Sequence, residues 1–218
     1  MHLSLKTYPN RNNRKIMQHN DTVKTQPPGR IKIINAMRTL LETKDFSSIK
    51  IAELAHTAGV TEPLIYKYFR DKRDVLHCLL QEYLETKHRD MLETLEPVNG
   101  SLNKLEKFIH AYINAYDHDR VLARVVLLEV SNSHDYYRSE SYRLFKKYGK
   151  LILDIIIDGV NEGVIREDIA PLHLRNLLLG CIDRACMNPV IFNKEIDVDP
   201  VSRDMTRLIF DAICVRDR

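Results

Sequence analysis

The sequence has only 7 glycines, 8 prolines and 4 cysteines in 218 residues, and no apolar run approaches the roughly 18 to 20 residues that a membrane span requires. Each shortage excludes something. The missing apolar run marks a soluble chain with no membrane partner. The N-terminus has no apolar core of a signal peptide, which predicts a cytoplasmic protein. Cys78, Cys181, Cys186 and Cys214 form no CxxC pair and have no histidines at zinc-finger spacing, so they read as reduced, buried thiols. Nine histidines are scattered without an HExxH, leaving no metal site. With no nucleophile set beside a base and no phosphate loop, the sequence predicts neither an enzyme nor a cofactor. Sustained two-residue alternation is absent too, which predicts an all-α protein.

What is present is unevenly distributed. Residues 1–75 carry 14 lysines and arginines against 7 aspartates and glutamates, a net +7, whereas residues 76–218 carry 19 against 23, a net −4. A basic N-terminal part suits a polyanion, because neutralising phosphates releases their counterions. The acidic remainder would be repelled by the same partner.

Residues 1–28 hold Lys6, Arg11, Arg14, Lys15 and Lys24 against the single acid Asp21 and show no periodicity. They read as a disordered basic arm that either follows a DNA groove or is an inert tail. From Arg30, Ile33, Ile34, Met37, Leu40 and Leu41 recur at helical spacing. Ile51, Leu54, Ala55 and Ala58 form a second helical face, stopped by Gly59 at a position suited to positive φ. Thr61 is an expected N-cap for a short third helix, with Glu62 and Pro63 in its first turn and Val60, Ile65 and Phe69 inward. Three short helices with a glycine turn between the last two describe a helix-turn-helix over residues 29–76. Residues 77–218 read as a second helical domain. Its expected helices start with one capped by Asp71 that runs to about Leu95 and one capped by Ser101. An apolar helix over 121–130 and a long one over 136–162 follow, and the last two cover about 172–187 and 200–215.

The segment Leu54-Ala55-His56-Thr57-Ala58-Gly59-Val60-Thr61 followed by Ile65-Tyr66-Lys67-Tyr68-Phe69-Arg70-Asp71-Lys72 resembles the signature of the TetR family of bacterial transcription regulators. The likeness covers about residues 30–76. A recognition helix enters the major groove of double-stranded DNA by its N-terminal edge, which here is Thr61, Glu62, Pro63 and Leu64, with Tyr66 and Lys67 one turn later. Tyr68 and Lys72 are expected at flanking phosphates. The family pattern has Ser or Thr opening the second helix, with an acid three residues on completing a capping box. Here that position holds Lys50, with Glu53 retained. Either Ser47 or Ser48 takes over the cap, or Lys50 exchanges it for a phosphate contact, the option we favour.

The resemblance implies that the remaining helices build an effector pocket and a homodimer interface. Phe108, Tyr112 and Tyr116 share one helical face, and Arg124 and Glu129 are the charges of the apolar helix; both sets are candidates for lining a small-molecule pocket or for ordinary packing and surface. Leu174, Leu177, Leu178, Ile182 and Ala185 form one apolar stripe, and Val201, Met205, Leu208, Ile209, Ala212 and Ile213 another. Either stripe suits the chain's own core or a subunit interface; the resemblance favours the interface. The function expected is a ligand-responsive dimeric repressor at a palindromic operator. The alternative is an architectural DNA-binding protein of the same fold that senses no ligand.

Overall fold

The computed structural model describes residues 26–130 and 136–215, and among them it contains nine α-helices and no strand. Helix α1 (Pro28–Thr43) has proline in its first turn, where the missing N–H costs nothing, and buries Ile33, Ile34, Met37, Leu40 and Leu41. A 3-10 turn (Phe46–Ser48) leads into α2 (Ile51–Ala58). Gly59 closes α2 at φ 63°, in the left-handed region that other residues enter only with strain. Helix α3 (Glu62–Tyr68) then starts after Thr61, whose backbone is extended but whose hydroxyl makes no cap bond. Ile65 and Phe69 complete a core with Leu54, Met37 and Leu80.

Helix α4 (Lys72–Leu95) begins at Asp71, whose carboxylate accepts from the Asp74 N–H at 2.8 Å, as expected of this residue. It ignores the boundary expected at residue 76. Val75, Leu76, Leu79 and Leu80 belong to the core of the N-terminal helices, while Met91 and Leu95 belong to the core of the second domain.

The second domain is built from α5 (Ser101–His118), α6 (Arg120–Val125), α7 (Glu140–Asn161), α8 (Pro171–Ile191) and α9 (Val198–Ile213) around Leu105, Ile109, Ile113, Ile152, Ile156, Leu178 and Ile182. Two local expectations are corrected. Gly100, at φ 82°, holds the N-cap of α5, and Ser101 is the first helical residue, buried, with its N–H donated to the Glu162 carboxylate at 3.1 Å. The apolar stretch 121–130 is α6 followed by a wider π turn (Val126–Val130). Residues 1–25, which hold nearly all of the expected basic arm, lie outside the described residues.

Candidate DNA-reading surface and effector cavity

Helix α3 divides its residues cleanly. Ile65 is fully buried, Leu64 and Tyr68 are half-buried, and Thr61, Glu62, Pro63, Tyr66 and Lys67 are exposed. The start of α1 supports it from behind: a Cβ on Gly29 would lie 3.3 Å from both Leu64 and Tyr68, so glycine allows α1 to sit this close. The exposed set forms one edge of α3, backed by Leu64 and Ile65, with Lys67 Nζ 5.9 Å from the centre of the Tyr68 ring. Lys50 is exposed at the N-cap of α2, and no side chain caps that helix. Glu53 is paired instead with Lys44, whose hydrogen bond holds the carboxyl below its ordinary range. Arg70, not singled out from the sequence, is exposed just after α3 and only loosely paired with Asp74 at 3.5 Å.

Lys72 is placed differently from the expectation. Its ammonium donates to the carbonyls of Phe46, Ser47 and Ile49 at 3.0, 3.0 and 2.8 Å, and lies 4.8 Å from the centre of the Phe46 ring. An ammonium has three protons. All three are committed to the turn before α2, leaving none for a phosphate.

A cavity of about 180 Å³ lies between α4, α5, α6 and α7. Tyr112 and Tyr116, two of the candidate pocket residues, line it together with Tyr83 and Lys87 of α4 and Tyr148 of α7, which sequence reasoning missed. Phe108 does not: it is fully buried behind Tyr112, stacked at 5.4 Å. Tyr116 donates to the Asp183 carboxylate of α8 at 2.7 Å, and Tyr112 to the same oxygen at 3.3 Å. Burial raises the pKa of all four phenols, and it raises that of Asp183 against the opposing pull of its two phenol donors. The side chain of Glu129 lies outside the described residues.

Arg124 turns away from the cavity. Its guanidinium donates to the Leu41 carbonyl at the end of α1, at 2.8 Å. One turn earlier Arg38 of α1 pairs with Asp119 at 2.7 Å, and Asp119 also accepts from the Leu122 N–H to cap α6. Thus α6 has two faces: Ala123 lines the cavity, whereas Leu122 and Val125 are buried in the core of the N-terminal helices.

The two expected interface stripes are split. Leu174, Leu178, Ile182, Ile209 and Ile213 are buried in the chain's own core, Ala185, Val201, Met205 and Ala212 are half-buried, and Leu177 and Leu208 point outward. Stripes at helical spacing wide enough to cover both sides of α8 and α9 include the inward faces of those helices, which pack on α5 and α7. Leu208 is 61% exposed and Phe192, at the end of α8, 68%. Among the described residues no group of His, Cys, Asp and Glu is placed to hold a metal ion, and no helix is long and apolar enough to cross a membrane.

Known proteins share this arrangement. Residues 33–79 match the model of bacterial regulatory proteins of the tetR family, and residues 80–212 match that of the C-terminal region of YsiA-like proteins. The chain is 25% identical over 191 residues to the fatty acid metabolism regulator protein of Bacillus subtilis (strain 168), covering 88% of this chain and 98% of that one. It is 26% identical over 171 residues to the HTH-type transcriptional repressor DhaR of Mycobacterium sp. (strain GP1), covering 78% and 84%. The crystal structure of FadR from Bacillus subtilis in complex with stearoyl-CoA superposes with a TM-score of 0.75 at 24% identity, over 84% of this chain and 98% of that one, a likeness of fold. With family models meeting end to end inside α4 and spanning both bodies, the chain belongs to the tetR family of bacterial regulatory proteins, as a helix-turn-helix transcriptional regulator.

Proposed function

We propose that the chain is a cytoplasmic, dimeric repressor that holds a palindromic operator through α3 and releases it when a slender, largely apolar effector enters the cavity, with long-chain acyl thioesters as the effector class. The observation that carries this reading is that the cavity wall and the DNA-binding core share helices. Helix α4 supplies Leu80 to one and Leu84 to the other, and α6 supplies Leu122 and Ala123. At about 180 Å³ the cavity is smaller than the roughly 300 to 1,000 Å³ of a drug-sized site. An acyl chain must therefore widen it, and widening moves helices that also set the position of α3. A relative solved with stearoyl-CoA bound supports the effector class. The alternative of an architectural protein is disfavoured by a hollow whose walls carry tyrosine hydroxyls where a filled core would serve.

In this reading Thr61, Glu62, Pro63, Leu64, Tyr66 and Lys67 face base edges, while Lys50, Tyr68 and Arg70 flank them at phosphates. The test starts with DNA selected from a random pool by the purified protein, used as a fluorescent duplex. Palmitoyl-CoA is expected to lower its affinity at concentrations where free coenzyme A does not. Equal binding with and without acyl-CoAs of every chain length would refute the effector class, and selection of non-palindromic sites would refute the dimeric operator.

A further inference from the structure

Of the four tyrosines that line the cavity, two have their protons committed and two do not. Tyr112 and Tyr116 donate to Asp183, so their hydroxyls are occupied within the fold. Tyr83 of α4 and Tyr148 of α7 line the same cavity and have no hydrogen-bond partner among the described residues. Their hydroxyls are not sealed away either, since among the described residues the one buried side-chain polar atom without a partner is His88 Nδ1.

We infer that Tyr83 and Tyr148 form a paired donor site for one carbonyl oxygen, making the cavity selective for an effector that carries an uncharged hydrogen-bond acceptor on its apolar chain. This rests on the cavity being the effector site, as proposed above. A carbonyl oxygen has two lone pairs and accepts from two hydroxyls at once. A bare hydrocarbon that enters displaces water from both hydroxyls and gives nothing back, which carries the desolvation penalty of two unpaired groups.

The surroundings fix the two rings in advance. Tyr148 is held edge-on by His88 at 5.3 Å and tilted against Tyr112 at 6.3 Å, while Tyr83 packs on the DNA-binding core with Lys87 Nζ 5.8 Å from its ring centre. Burial keeps both phenols protonated throughout the physiological range, so each retains a proton to donate. The cavity wall offers a carboxylate no net attraction in return for its desolvation, since Lys87 and Asp90 line it with opposite charges. Asp119 opposes ionisation of Tyr83, with Arg38 partly offsetting it, and Asp90 opposes ionisation of Tyr148. An uncharged carbonyl therefore fits the pair better than a carboxylate does.

The experiment uses the full chain and three eight-carbon probes: 2-octanone, octane and octanoate, titrated calorimetrically against the parent protein, Y83F, Y148F and the double variant. The parent is expected to prefer the ketone to both others. Each Phe substitution should weaken the ketone by roughly two- to tenfold, the worth of one neutral hydrogen bond, and should tighten octane, because one hydroxyl that octane leaves unpaired is gone. Melting of the unliganded variants checks the fold, and either single variant suffices if the other melts early. Ketone binding that is equal in the parent and the double variant would overturn the site, as would octanoate binding tighter than ketone. The two readings fail separately. Loss of ketone preference in the variants without any release of DNA by acyl-CoAs would keep the donor pair and discard the repressor mechanism. Release by acyl-CoA at equal potency from parent and double variant would do the reverse.

Discussion

Lys72 shows how far a residue can be read from its position. The family signature indicates a lysine here, but its partners are carbonyls 23 to 26 residues upstream, in a turn that no motif describes. Replacing it with Met is expected to lower the melting temperature and weaken binding to all DNA, while the slope of affinity against salt stays as in the parent. A slope reduced by about one would restore the phosphate contact. Asp183 makes a second residue-scale prediction. Its folded pKa is raised by burial, so the folded state holds a proton that the unfolded state has lost once pH exceeds the ordinary carboxyl value of 3.8. Its contribution to stability is thus full below that value and declines as pH rises through the folded pKa. Asp183→Asn keeps a carbonyl acceptor for Tyr112 and Tyr116 without the buried charge. Urea midpoints across the acid-to-neutral range should decline less with rising pH in the variant; parallel curves would show the carboxylate to be unperturbed. His88 acts with the opposite sign. Burial lowers its pKa, aided by Lys147, so acidification through the ordinary histidine value of 6.5 should cost stability, and His88→Phe should remove that part of the pH dependence.

At the scale of elements, α1 to α3 were legible because their signals are local. Apolar spacing places α1 and α2, Gly59 ends one helix, and Pro63 opens the next. Helix α6 was not. The run Val121 to Val130 contains no breaker, and periodicity alone does not distinguish a straight helix from one that relaxes into a π turn after Val125. Nor did the sequence indicate which way Arg124 points, since a charge in an apolar helix suits a pocket as well as a neighbouring carbonyl. The arrangement found makes α6 the bridge between the bodies, through Arg38 to Asp119 and Arg124 to Leu41. Asp119 is 9% exposed and Arg38 45%, so loss of the cation leaves a nearly buried carboxylate poorly paired. Arg38→Met should therefore retain operator binding yet require a different effector concentration for half-release, shifted by roughly two- to tenfold for a coupling of about 0.5 to 1.5 kcal/mol. Superimposable dose curves would remove the bridge from the response.

For the whole molecule, the all-α fold and the helix-turn-helix followed from pattern, but the cavity did not. Tyr83 and Tyr148 stand 65 residues apart, and their sharing of one cavity depends on how α4 packs on α7. The stripes on α8 and α9 were legible as apolar and not as inward or outward, because exposed Leu177 and Leu208 stand directly beside buried Leu178 and Ile209 and share their apolar character. That ambiguity separates two substitutions. Leu178→Glu should unfold the chain. Leu208→Glu should leave a folded monomer with weakened operator binding if the outward face of α9 is the dimer contact, since burying two unpaired carboxylates at a two-fold axis costs several kcal/mol. Sedimentation of an unchanged dimer would move the interface elsewhere. The grip of Lys72 on the turn before α2 has a mechanical corollary. It ties one end of α4 in place, and Leu84 at the cavity lies 12 residues along the helix, about 18 Å at the rise of an α-helix. A sideways push of about 1 Å there becomes a tilt of about 3° over that length rather than a translation. In the proposed dimer the two-fold axis relates the two tilts, so a small swelling in each subunit would change the span between the recognition helices twice over, against a DNA repeat that does not stretch to follow.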